Sequence, residues 1–220
     1  MKDIVTILKD VGAIITDSHF VGTQGRHMPA YINKDALLLH TKYVSEVGKL
    51  FAEKFKNKNI EVVVAPAVAG IPFSQWTAHH LSKISRREVL SAFTEKTPEN
   101  DQIFKRDYDA VVKNKRVLIV EDTTTAGSSV KKIIKTVKNA GGKIVGVCVM
   151  VNRDPKLVNT KSIGVPFSSL GVLKILSYEA KDCPLCKDRV PVNTKFGHGK
   201  KFLEEQKSKS NDHRQIQPKS

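Results

Sequence analysis

No apolar run in this 220-residue chain is long enough to cross a bilayer as a helix: the longest, such as Val62 to Ala65 and Val117 to Val120, are strand-sized. The acidic start Met1-Lys2-Asp3 does not read as a secretion signal, so a cytoplasmic location is expected. Cysteine is scarce. Cys148 lies in an apolar run, and Cys183 and Cys186 form Cys-Pro-Leu-Cys; three are too few for a disulfide scaffold and fit a reducing compartment. Acidic residues are outnumbered, 22 against 37 basic, and the resulting charge of +15 implies anionic partners without choosing among nucleic acids, membranes and phosphorylated metabolites. No internal repeat is present, which argues against a solenoid.

The 40% hydrophobic content is enough for a sizeable core, and the length suits one domain with appendages. Ile4, Ile7, Leu8 and Val11 recur at helical spacing and predict an opening helix that ends near Gly12. Gly22-Thr23-Gln24-Gly25-Arg26-His27 reads as a polar turn. Tyr31 to Leu39 reads as a partly extended piece leading to a helix marked by Val44, Val47, Phe51 and Phe55. Then the pattern becomes regular. Strands are expected at 61–65, 88–93, 116–120 and 143–151, with helices at 72–81 and 129–139 between them. Continuously apolar strands alternating with helices predict an α/β fold with a parallel sheet covered on both faces and ligands bound beyond the strands' carboxyl ends. The charged stretch 94–114 is too long for an ordinary connection and is expected to be a mobile, functional loop. Residues 204–220 are expected to form a disordered basic tail.

The most informative run is Val117 to Ser129, where an apolar strand delivers Glu121 and Asp122, and then Thr123, Thr124, Thr125, Ala126, Gly127, Ser128 and Ser129 lead into a helix. A helix N-terminus offers unpaired N–H groups and a positive dipole end. Small residues let the backbone approach an anion closely, and hydroxyls add donors, so this loop suits a phosphate monoester. The two acids are placed to accept bonds from sugar hydroxyls or to help hold hydrated Mg²⁺. Helix capping by Ser and Thr explains one or two of these residues but not all nine.

The run resembles the phosphoribosyl pyrophosphate (PRPP) signature of type I phosphoribosyltransferases, and its Glu-Asp-x-x-Thr-x-Gly-x-Ser form is closest to that of orotate phosphoribosyltransferases. The resemblance implies a phosphoribosyltransferase-like, Rossmann-like central parallel sheet with a small N-terminal hood. It implies that Glu121 and Asp122 contact the ribose hydroxyls, that Thr124 to Ser129 hold the 5-phosphate, and that Mg²⁺ binds mainly through PRPP. Ala67 to Pro72, with Val68, Ala69 and Gly70, resembles the family's pyrophosphate loop; an ordinary strand-to-helix turn is the alternative. Gly25 to Asn33 is similar to the segment that closes over the base, where Arg26 would pair with an acidic pyrimidine. Arg153 falls where orotate enzymes carry an Arg for the substrate carboxylate; a surface Arg before the turn at Asp154-Pro155 is the alternative. Within 94–114, Lys96, Lys105 and Arg106 resemble the cations that neutralise departing pyrophosphate. Orotate enzymes commonly place His-Gly in this loop, and here it contains neither residue.

By resemblance the chain divides into a phosphoribosyltransferase domain at 1–176, including a hood and base-binding segment at 1–40, a Cys-x-x-Cys extension at 177–203 and the tail. The expected activity is transfer of 5-phosphoribose from PRPP to orotate, by a homodimer. The alternatives are transfer to a purine or other base, and a PRPP-sensing regulator that binds nucleic acid through its basic surface; no RNA or DNA motif supports the latter. Cys183, Cys186 and His198 offer part of a zinc set, although a structural site needs four ligands, and a capped turn packed on the core is the competing reading. His79 and His80 are expected to pack or face solvent, and Trp76 to lie in the core.

Overall fold

The computed structural model describes residues 2–22 and 25–215; Thr23 and Gln24 of the polar turn, and the end of the tail at 216–220, lie outside the described residues. The chain divides into two compact units, Met1–Val11 with Lys34–Lys174, and Gly12–Asn33 with Ile175–Ser220. The elements run α1 (Ile4–Asp10), β1 (Ile14–Ile15), β2 (Phe20–Val21), β3 (His27–Met28), β4 (Tyr31–Ile32), α2 (Lys34–Leu38), α3 (Thr41–Phe55), β5 (Val62–Pro66) and α4 (Gly70–Ser85). They continue with β6 (Leu90–Lys96), β7 (Gln102–Ile103), α5 (Tyr108–Val112), β8 (Arg116–Thr124), α6 (Ser128–Asn139), β9 (Lys143–Asn152), α7 (Thr160–Ile163), β10 (Phe167–Val172), α8 (Pro184–Lys187) and α9 (Gly199–Gln215).

The larger unit is built on one six-stranded sheet in the order β10-β9-β8-β5-β6-β7. Every neighbouring pair is parallel except β6 with β7. Its central strands are apolar on both faces because helices cover both: Val62, Val63 and Val64 of β5 and Val117 to Val120 of β8 have no exposed surface. In α6, Val130, Ile133, Ile134 and Val137 sit at i, i+3, i+4 and i+7 and are buried on that sheet, which leaves Lys131, Lys135 and Lys138 on the outer face. α3 lies close against α4: a Cβ on Gly48 would come within 2.5 Å of the Trp76 Cβ. Trp76 is half-buried rather than core, stacked on His80, because the helix contact at Gly48 leaves its ring at the rim. His80 accepts or donates a bond with Ser45 Oγ at 3.0 Å, and His79 is exposed.

Three segments differ from the sequence expectation. The charged stretch 94–114 is not a plain loop: β6 continues to Lys96, turns back at Thr97 to Asp101 into β7, and α5 follows. Lys34–Leu38 is helical rather than extended. Residues 204–215 belong to helix α9 rather than to an unstructured tail.

The smaller unit has two short antiparallel pairs, β1 with β4 and β2 with β3. Its carboxyl-terminal segment adds backbone bonds to them: His27 and Tyr178 exchange N–H to C=O bonds at 2.9 Å in both directions, and Asn193 N–H donates to His19 C=O at 2.7 Å.

Candidate active site

The carboxyl end of β8 and the start of α6 form the site of the larger unit. Register places Thr123 opposite Val151 and Thr124 opposite Asn152, so the acids of β8 and the end of β9 emerge side by side. The loop that follows is braced by its own bonds. Thr124 Oγ1 accepts from the Gly127 N–H at 3.1 Å. Gly127 itself has φ of 73°, the left-handed region that disfavours a side chain, and an added Cβ would lie 2.8 Å from Ile163 Cδ1. No side chain caps α6, so its first N–H groups remain directed at the loop.

Glu121 and Asp122 have different surroundings. Glu121 is buried, its Oε1 accepting from Ser129 Oγ while its Oε2 has no hydrogen-bond partner. Burial, with the neighbouring Asp122 charge adding to it, pushes the Glu121 carboxyl up to about 8. Asp122 reaches the surface and is paired with Lys34 Nζ at 3.1 Å. Lys34 opens α2 and carries no recognisable motif; its role appears only once the fold brings it to Asp122.

Gly70 begins α4 directly after β5. A Cβ there would meet Ala65 Cβ at 2.8 Å and Pro66 Cδ at 3.0 Å, so only glycine allows helix and strand to approach this closely. The Ala67–Val68 peptide is cis, Val68 is 80% exposed, and Ala67 N–H donates to Thr94 C=O at 2.7 Å. This loop therefore lies at the same sheet edge as the end of β6. Arg153 follows β9, and its N–H donates to Thr124 C=O at 2.9 Å, beside the β8 loop.

The cations of 94–114 divide. Lys105 Nζ is 3.0 Å from Glu95 Oε2, and Arg106 pairs with Glu95 Oε1 and lies over the Phe93 ring. Lys96 is exposed at the end of β6. Arg26 belongs to the smaller unit, where its guanidinium donates to Ser177 Oγ at 2.9 Å and to Ser177 C=O at 2.7 Å and pairs with Glu179. His198 is exposed and not grouped with Cys183 and Cys186; the residues that converge on those thiols are His19 and His27.

Comparison with known proteins places the chain in a family. The family model described as phosphoribosyl transferase domain matches residues 33–169. The chain belongs to the phosphoribosyltransferase family. It is 34% identical to the orotate phosphoribosyltransferase of Caldanaerobacter subterraneus subsp. tengcongensis over 179 residues, 81% of this chain and 88% of that one. It is 33% identical to the orotate phosphoribosyltransferase of Desulforamulus reducens, over 87% of this chain and 94% of that one. The fold also matches the crystal structure of Mycobacterium tuberculosis orotate phosphoribosyltransferase in complex with PRPP, with a TM-score of 0.59, 22% identity and coverage of 78% of this chain and 97% of that one. The expected phosphoribosyltransferase-like α/β fold is thereby established, with five parallel strands and an antiparallel edge strand where four strands were legible.

Proposed function

We propose that this phosphoribosyltransferase transfers 5-phosphoribose from PRPP to orotate, giving orotidine 5'-monophosphate and pyrophosphate. The observation that carries the reading is the acidic pair followed by an uncapped helix start, in a chain about one third identical to orotate phosphoribosyltransferases along most of its length. The Glu121 Oε2 atom is buried without a partner, which suits a ribose hydroxyl as that partner. The Asp122 carboxylate accepts from the adjacent hydroxyl, and residues Thr123 to Ser129 hold the 5-phosphate.

In the reaction the ring nitrogen of the base forms a bond to the anomeric carbon as the bond to the pyrophosphate oxygen breaks, through an oxocarbenium-like state. Val68, Ala69 and Gly70 offer backbone to the departing pyrophosphate, and Lys96, Lys105 and Arg106 supply positive charge as the hairpin closes. Lys105 and Arg106 must exchange Glu95 for the pyrophosphate in that step. Arg153 recognises the orotate carboxylate, and Arg26 remains a base-segment candidate.

Asp122 and the substrate's own oxygens form an all-oxygen donor set that fits Mg²⁺; Glu121, protonated near neutral pH, adds little charge to it. Mg²⁺ when bound neutralises the diphosphate. Homodimerisation and a cytoplasmic location belong to the same proposal and rest on the family resemblance, while no described helix is long and apolar enough to cross a membrane.

The test is calorimetric titration of PRPP with Mg²⁺, followed by turnover against orotate, uracil, adenine and hypoxanthine. Binding of PRPP with turnover of orotate alone is expected. Turnover of a purine with none of orotate would reassign the base, and absence of PRPP binding would remove the reading.

A further inference from the structure

We propose that His19, His27, Cys183 and Cys186 form a structural zinc site inside the smaller unit. The ligand atoms of these four residues all lie within 4.8 Å of one another. His19 Nε2 is 2.7 Å from His27 Nδ1, Cys186 Sγ is 3.3 Å from His27 Nδ1, and both sulfurs are 3.8 Å from His19 Nε2. A tetrahedral ion with Zn–N bonds of about 2.0 Å and Zn–S bonds of about 2.3 Å spaces its ligand atoms about 3.3–3.8 Å apart, so small side-chain shifts admit it.

The chemistry of the donors selects the ion. Two thiolates with two imidazoles form the soft, tetrahedral set that favours zinc over magnesium or calcium. His19 has its outer partner: Nδ1 lies 2.9 Å from the Val190 carbonyl, so Nδ1–H donates there and Nε2 keeps its lone pair for the cluster. A simple His19–His27 hydrogen bond accounts for one of these contacts but gives no reason for two sulfurs to converge on the same nitrogens. All four positions are taken by protein, which is the arrangement of a structural rather than a catalytic zinc.

The smaller unit has reason to need the ion. Its strands are two residues each, and its buried apolar side chains are few, chiefly Phe20, Val21, Met28 and Ile32. Small units with little core commonly depend on a staple. A zinc here would join the β2–β3 hairpin to a helical turn more than 150 residues later in the chain, as in the 164-residue separation of His19 and Cys183.

The experiment is elemental analysis of the full-length chain, purified reduced without chelator and with trace zinc in the medium, followed by cobalt replacement. About one zinc per chain, and cobalt absorption of the tetrahedral thiolate type, are expected. The paired change Cys183→Ser with Cys186→Ser and, separately, His19→Ala should each lower the zinc content at least about tenfold, while His198→Ala keeps it. Because the thiol variants are liable to misfold, the unaltered protein is also titrated with a competing chelator, which should remove the zinc and lower Tm reversibly. Less than about a tenth of a zinc per chain, with no uptake by the reduced protein on titration, would overturn the proposal. Retention of zinc by the paired cysteine variant would do the same. Neither result depends on turnover, so the site stands or falls apart from the orotate reading.

Discussion

At the scale of single residues, a carboxyl sealed under the end of β8 keeps its proton across most of the physiological range. Glu121 ionises at about 8 in the folded chain and near 4.5 when unfolded. Its raised folded value means the penalty is absent below the unfolded value, grows as pH rises through that interval and is constant above about 8. Glu121→Gln removes it, so the variant should match the parent in stability near pH 4 and exceed it by at most ~3 kcal/mol at pH 7, as urea denaturation at the two pH values will show. Because the amide resembles the protonated carboxyl, the same variant should bind PRPP nearly as tightly as the parent near pH 7 and lose affinity relative to it only above about pH 8, where Glu121 ionises. Lys34 acts through Asp122: Lys34→Met should raise KM for PRPP about tenfold, ~1.4 kcal/mol, with a smaller change in kcat. Asp122→Asn should lower kcat/KM at least about a hundredfold, ~2.7 kcal/mol, in the same steady-state assay. Glu121 and Asp122 were legible because a buried strand ending in two acids has few other uses. Lys34 was not, since a lysine opening a short helix carries no pattern, and only the tertiary approach at 3.1 Å defines it.

Elements differ in how far sequence reveals them, and the reason is periodicity. β5, β8 and β9 each carry a continuous apolar stretch, 62–65, 117–120 and 144–151, because both faces are covered there, and α6 alternates four buried positions with exposed lysines, so each states its environment locally. β7 is two residues long and owes its existence to pairing with Glu95 and Lys96, an interaction with no local signature. β10, with sequence Phe-Ser-Ser-Leu-Gly-Val, lacks an apolar run because it is an edge strand and only half-buried. The two loops beside β5 and β8 depend on glycine for different reasons. Gly127→Ala puts a side chain at positive φ, and the expected loss is ~1–2 kcal/mol of stability together with weaker PRPP binding, read by urea denaturation and calorimetry. Gly70→Ala meets the strand itself, where Ala65 and Pro66 have little room to move, so a comparable stability loss with a slower pyrophosphate step is expected in single-turnover kinetics.

For the whole molecule, the +15 charge reads differently once the fold is known. On α6, Lys132 donates to the Asn100 carbonyl and Lys135 lies 4.0 Å from Asp101, so part of the basic helix face is occupied by the tip of the β6–β7 hairpin. That engagement weakens the case for a nucleic-acid surface there. The pairing of 12–33 with 175–220 in one unit was hidden from the sequence, because His19 and Cys183 are brought together by folding and no motif spans them. The most direct test of the account is the loss of orotate absorbance in purified protein supplied with PRPP and Mg²⁺, with pyrophosphate measured in parallel. Orotate loss with equimolar pyrophosphate, abolished by Asp122→Asn, is the predicted result; PRPP binding with no consumption of orotate would contradict it.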